Sequence, residues 1–284
     1  MHILVQLVVA AALMYLVTEL TKVEGREGFT YSIYPWITTL PETVTTVLLA
    51  TGGFYTAALY NSVFSAVFDL AVGLGLVAIA YRVVEFRLVD LAALSSIAAF
   101  AFIAADLDGL ITLNEGLMLY AFLAFTIMYS IAKYGMFRGR ITGYDALRIV
   151  AGLLVLGALG FWYYKNVEAL IPYVGEKLGG IISAVLTSIP DVIVALVYGL
   201  SEPEAQAELL GAVAHDFIEN VPTAAIVAGI VANGGIVDSN PMLTVTLAGF
   251  SATALLFISS YRRVTRFEGF ILLLLFAICC LAAL

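Results

Sequence analysis

Residues 38–44 read TTLPETV and residues 187–193 read TSIPDVI, the same order of two hydroxyls, an aliphatic, a proline and an acid. Each is followed by a second polar segment, YNSVFSAVFD at 60–69 and GAVAHDFIEN at 211–220. Thr38 and Glu42, Ser65 and Asp69, Thr187 and Asp191, and Asp216 and Asn220 are i,i+4 pairs, so on helices each pair shares one face. All eight side chains offer oxygen, with no clustered Cys or His, and such a set suits hard cations such as Ca²⁺, Mg²⁺, Mn²⁺ or Na⁺ rather than Zn²⁺ or Cu⁺. Pro41 and Pro190 donate no backbone hydrogen bond, which frees the carbonyls of Ile37 and Leu186. Freed carbonyls at membrane depth are tolerated where they line a cavity or bind an ion.

The elements that carry these residues are membrane helices. Of 284 residues, 62% are hydrophobic and 12% charged, and the mean hydropathy is +1.04, far above that of a soluble domain. A helical span needs about 20 apolar residues, and ten fit: 2–21, 27–50, 54–80, 88–105, 110–132, 146–164, 176–199, 208–233, 240–261 and 267–284. Runs such as ILLLLFAICCLAAL are apolar on every face and lack the alternation of barrel strands. The expected class is an all-α integral membrane protein. An acid at the centre of such a helix costs about 2.5 to 3.5 kcal/mol, so four acids placed in parallel positions point to function.

Eleven Lys and Arg fall in loops after odd-numbered spans: Lys22, Arg26, Arg82, Arg87, Lys133, Arg138, Arg140, Arg148, Arg262, Arg263 and Arg266. Only Lys165 and Lys177 fall on the other side. The positive-inside rule then places loop 133–148 in the cytoplasm and both termini outside. The N-terminal apolar run has no basic n-region, and is expected to be a retained first helix. Residues 1–135 and 146–284 become two five-helix repeats joined by a cytoplasmic linker at 136–145. Five is odd, so the second repeat is inverted, the plan of many secondary transporters.

At these residues the chain resembles the cation/Ca²⁺ exchanger superfamily, whose sodium/calcium exchangers have ten helices in two inverted halves. Their repeats read approximately G-T-S-[LV]-P-E, then G-N-x-x-G-S-N with a further Asn or Asp. Thr38, Thr39, Pro41 and Glu42 fall on the first motif, and Asn61, Ser65 and Asp69 on the second. In the other half Thr187, Ser188, Pro190 and Asp191 match, then Gly211, Asp216 and Asn220 after a two-residue insertion. The resemblance implies that Glu42 and Asp191 are central carboxylates with Thr38 and Thr187 beside them. Ser65, Asp69, Asp216 and Asn220 would complete a site where Na⁺ and Ca²⁺ compete, with backbone ligands at Pro35 and Ala184. Departures are Ile37 and Leu186 for the leading Gly, FSA and HDF for the GSN element, Asp191 for Glu, and Asp216 for Ser.

The function these features imply is antiport of a divalent cation, Ca²⁺ foremost, against Na⁺ by alternating access, in the plasma membrane. Proton coupling is the alternative, favoured by the extra carboxylate, because closely spaced acids split their titrations. No cofactor is expected; the partners are inorganic cations and the bilayer. ATP as a driving force lacks a Walker motif, and no basic cluster suits nucleic acid. An intramembrane aspartyl protease would pair Y-D with G-x-G-D; Asp145 follows Tyr144 in the linker, and G-x-G-D is absent. A scaffold would need no buried acids. Further expectations are a packed His215 paired with Glu219, Asp106 and Asp108 in a solvated outer turn, Glu85 and Asp90 at the interface beside Arg82 and Arg87, packing glycines in GLGL (73–76) and GGI (179–181), and Cys279 and Cys280 as packing residues.

Overall fold

A computed structural model describes residues 2–21, 27–136, 142–232, 234–238 and 240–283. Lys22, Arg26, Arg138, Gly139 and Arg140 lie outside the described residues, as does much of the expected linker. The first half runs α1 (His2–Thr21), α2 (Glu27–Ser32), α3 (Tyr34–Thr38), α4 (Leu40–Thr51), α5 (Tyr55–Phe68), a π-helical segment (Asp69–Leu74), α6 (Gly75–Tyr81), β1 (Val83–Glu85), α7 (Val89–Asp106), β2 (Leu110–Thr112) and α8 (Leu113–Tyr134). The second runs α9 (Gly143–Val174), α10 (Glu176–Tyr198), α11 (Pro203–His215), a π-helical segment (Asp216–Asn220), α12 (Val221–Ala232), β3 (Gly235–Val237), α13 (Pro241–Tyr261), β4 (Arg263–Thr265) and α14 (Arg266–Ala283).

The greater part of each apolar stretch lies on helix, and six helices among the described residues are long and apolar enough to cross a membrane. The second stretch is not one helix: it divides into α2, α3 and α4, with the last break at Thr39, two residues before Pro41. Its counterpart α10 runs unbroken through Pro190.

α5 is buried from Ala57 to Phe68, which is why its sequence is apolar nearly all round. It packs on α10, while α7 packs on α13 and α1 on α9. Two glycines in the second half permit close backbone approaches to the first. A Cβ on Gly180 would sit 2.5 Å from the Ala57 carbonyl oxygen, and one on Gly211 would sit 2.4 Å from that of Tyr31. Backbone cannot yield as a side chain can, so Gly211→Leu should destabilise by about 1–3 kcal/mol or more through overpacking. A thermal melt in detergent checks this; an unchanged midpoint would mean α2 and α11 do not touch.

Among the described residues, four short strands depart from the all-α expectation. β1 pairs antiparallel with β4 (Val84 opposite Val264) and β2 with β3 (Ile111 opposite Ile236). Each is a three-residue run with β-branched residues whose backbone groups, just beyond helix ends, find partners in the other half's loop. β1 precedes α7 and β4 follows α13; β2 follows α7 and β3 precedes α13. The packed pair α7 and α13 is therefore stapled at both ends into a closed frame.

Local chemistry accounts for several other residues. Asp145 caps α9, accepting from the Thr142 backbone at 3.0 Å and its hydroxyl at 2.6 Å, so it completes a capping box on an exposed turn. Asp90 is half-exposed and pairs with Lys133, as expected of an interfacial acid. Asp106 corrects an expectation: it is fully buried, because the last turn of α7 faces α13, where the Thr244 hydroxyl lies within hydrogen-bonding distance of it, at 2.6 Å. Asp108 alone occupies the exposed turn.

Candidate cation site

Glu42 stands in the first turn of α4, just past the Thr39 break, and is 2% exposed. Ser65 of α5 donates to its Oε1 at 2.9 Å, and Ser188 of α10 donates to the same atom at 3.1 Å. Thr187 and Asp216 also lie against this carboxylate. One acid thus gathers four helical segments from both halves. Its Oε2 has no hydrogen-bond partner, nor do both oxygens of Asp69 and Oδ2 of Asp216, all buried. Orphaned buried carboxylate oxygens are costly, and several aimed at one region form what a cation or protons would satisfy.

Both threonines of the repeated motif also bond to backbone. Thr38 donates to the Pro35 carbonyl at 3.1 Å, and Thr187 to those of Ser183 at 3.0 Å and Ala184 at 3.1 Å. A hydroxyl that spends its hydrogen on backbone keeps lone pairs for another partner. The carbonyls of Pro35 and Ala184, implied as backbone ligands, are thus engaged by threonines here; Thr39 adds a bond to Pro35 at 2.6 Å.

Asp69 and Asp216 each open a π-helical segment, a distortion that recurs at functional sites. Among the carboxylates, Asp191 acts most strongly on Asp69, and Glu42 most strongly on Asp216. Each half's proline-helix acid thus acts on the π-segment acid of the other half. Four mutually repelling charges cannot all persist without bound cations or protons.

The same geometry corrects the alignment of the halves. Thr43 donates to Asn220 at 2.7 Å, and the matching contact in the other half brings Val192 to 3.6 Å from a Cβ on Gly73. Asp216 is therefore the counterpart of Asp69, not of Ser65, and the helix start at Pro203 supplies the missing register. Ser65 corresponds to Ala212, Asn220 to Gly73, and Asn61 to Glu208. Asn61 donates to Thr46 at 3.2 Å. Glu208 is 7% exposed and lines a cavity of about 10 Å³ with Asp191, Ala195, Ala205, Leu209 and Ala212.

All eight expected residues lie on the four expected helical segments, and Glu42, Ser65, Asp69, Thr187, Asp191 and Asp216 converge. Asn220 reaches the cluster through Asp216, donating to its Oδ1 at 2.9 Å. Thr38 is buried one turn before Glu42 and bonds only to backbone in the contacts resolved. Asp191 is partly exposed, on the cavity. The sequence reading missed Thr43 and Glu208. Glu208, Ala212 and Asp216 lie on one face at i, i+4 and i+8, a signal masked when SEPEAQAE is taken for a turn. His215 is buried and pairs with Glu219, as expected.

Comparison with known proteins follows the same line. The solved structure described as the H⁺/Ca²⁺ exchanger CAX is 19% identical, with TM-score 0.75, over 96% of this chain and 78% of that one. The sodium-calcium exchanger NCX_Mj, soaked with 2.5 mM Na⁺ and 0.1 mM Ca²⁺, is 16% identical, with TM-score 0.69, over 99% of this chain and 95% of that one. At these identities the likeness is one of fold. No curated protein sequence matches significantly. The family profile described as "Sodium/calcium exchanger protein" matches residues 1–132 and 145–284. Glu42 and Asp69 fall in the first matched segment and Asp191 and Asp216 in the second, and the chain belongs to the sodium/calcium exchanger protein family.

Proposed function

We propose that this chain exchanges a divalent cation, Ca²⁺ foremost, for Na⁺ by alternating access at one central site. The observation that carries the reading is the convergence of Glu42, Asp69, Asp191 and Asp216, with orphaned oxygens on three of them. The ligands are Thr38, Glu42, Ser65, Asp69, Thr187, Asp191, Asp216 and Asn220, an oxygen set suited to Ca²⁺ and Na⁺. Divalent-cation flux into proteoliposomes, driven separately by Na⁺ and H⁺ gradients, tests it. Uptake under neither gradient would refute antiport.

Proton coupling is the second reading, favoured by one specific difference. Glu208 puts a carboxylate beside Asp191 where the first half has Asn61, and an additional acid near a cation site gives a proton somewhere to reside. Glu208→Asn restores the symmetry of the halves. If protons drive exchange, this variant should lose most H⁺-driven uptake and keep Na⁺-driven uptake; an unchanged ratio would remove Glu208 from the coupling.

The same reading sets the chain in the plasma membrane as two inverted five-helix repeats, 1–135 and 146–284, with 136–145 cytoplasmic and both termini outside. It is supported by the exchange of the two strand pairs under an inversion that swaps β1 with β3 and β2 with β4. Cysteines placed at Gly139 and Gly234 should label from opposite faces of the membrane. Labelling from one face would sink this arrangement.

A further inference from the structure

Outside the cation site, the last turn of α7, the loop after β3 and the first turns of α13 enclose three side chains: Asp106 and Thr244 at 0% exposure and Asp238 at 5%. The Thr244 hydroxyl lies 2.6 Å from Asp106 Oδ2, in hydrogen-bonding contact with Asp238 Oδ2, and 3.1 Å from the Pro241 carbonyl oxygen. A hydroxyl has one hydrogen to give. Three acceptors surround it, two of them on carboxyl groups, and both carboxyl contacts are satisfied together when Asp106 carries hydrogen and donates to Thr244, which donates in turn to Asp238.

Asp106 Oδ1 is buried without a hydrogen-bond partner, a second sign that this group is not a fully ionised carboxylate. Asp238 Oδ1 is occupied by the Asn240 backbone N–H at 2.8 Å.

We infer that Asp106 binds a proton and is held through Thr244 to Asp238, forming a proton-binding latch between the two halves. Asp106 belongs to the first half; Asp238 and Thr244 belong to the second. The latch adjoins the β2–β3 ladder, and the Asp238 N–H donates to the Gly109 carbonyl at 2.9 Å. Other charged groups around it are Asp108, whose charge acts on Asp106 from the turn, and Glu115 of α8, committed to capping Thr112. α13 presents the neutral Thr244. The closed latch holds one proton more than the open one, so closure is favoured as pH falls and lost as pH rises. On the orientation proposed above, the pH sensed is that outside.

Hydrogen exchange of the full-length protein in detergent tests the latch independently of orientation and of transport. After correction for intrinsic rates, the amides of Ile236, Val237 and Asp238 should lose about tenfold or more of their protection between about pH 5 and about pH 9. Asp106→Asn supplies a permanent donor and should make protection independent of pH, whereas Asp108→Asn should keep the transition. Thr244→Val removes the mediator without adding charge and should abolish the transition even if Asp106→Asn does not fold. Protection that is flat in the native protein, or a transition that survives in Thr244→Val, would overturn the inference. Saturable restoration of protection at high pH by Ca²⁺ alone would overturn the proton in favour of a cation.

Discussion

Glu42→Gln should abolish divalent-cation exchange while the protein still inserts and elutes in detergent as the native protein does. Glutamine is nearly isosteric, and its amide oxygen can accept from Ser65 and Ser188 as Oε1 does. Packing between α4, α5 and α10 is thus preserved. What disappears is one of four negative charges, on the acid that touches both halves. Removing a charged ligand from a desolvated ion site costs about 3 kcal/mol or more, which is about 100-fold in cation affinity. Asp191→Asn should have the same outcome, since Asp191 is its counterpart and acts on Asp69. Radiotracer Ca²⁺ uptake checks both. Native rates in both variants would show that the central site lies elsewhere.

Asp216→Asn should change the pH dependence and ion preference of exchange rather than eliminate it. Asp216 acts with Glu42, its Oδ1 is bonded to Asn220, and its Oδ2 is free of protein partners. The amide keeps the shape and lowers the formal charge of the cluster from four to three. With less repulsion, the remaining acids ionise more readily, so half-maximal exchange should shift toward lower pH. Asp216→Ser, shorter and neutral, should shift it the same way and also disturb Asn220, which Thr43 holds from the other half. Competition among Ca²⁺, Mn²⁺ and Mg²⁺, measured across pH, reads both. Unaltered profiles in both variants would remove Asp216 from the site.

The acids and their helices were legible in the sequence because burying a charge in a bilayer is expensive, and because the TTLPETV and TSIPDVI pattern occurs twice. Register was not. Counting from Glu42 to Ser65 and from Asp191 to Asp216 aligns residue types, whereas the contacts of Thr43 with Asn220 and Val192 with Gly73 align positions. The two readings differ because the turn between the paired helices is of different length in each half and α11 begins earlier than its polar composition suggests. Nor did local pattern distinguish Pro41, near a helix break, from Pro190, inside an unbroken helix: neighbouring packing decides whether a proline interrupts. The strands were invisible because three residues carry no usable period. Asp106 looked solvated because its burial is supplied by Thr244, 138 positions away.

The strand pairs also bear on how the chain is made. β1 emerges with Val83–Glu85 and meets no partner until Arg263–Thr265, nearly at the end of the chain. β2 waits for Gly235–Val237. During synthesis the first half therefore holds two open strand edges at opposite ends of α7, each a ready template for pairing with another chain. Contacts so distant in sequence form slowly. Assembly of the frame becomes a late event, and β4 is its final closure. A chain ending before Arg263 would retain every carboxylate of the cation site and yet leave β1 unpaired, exposed to quality control and to association with its own copies.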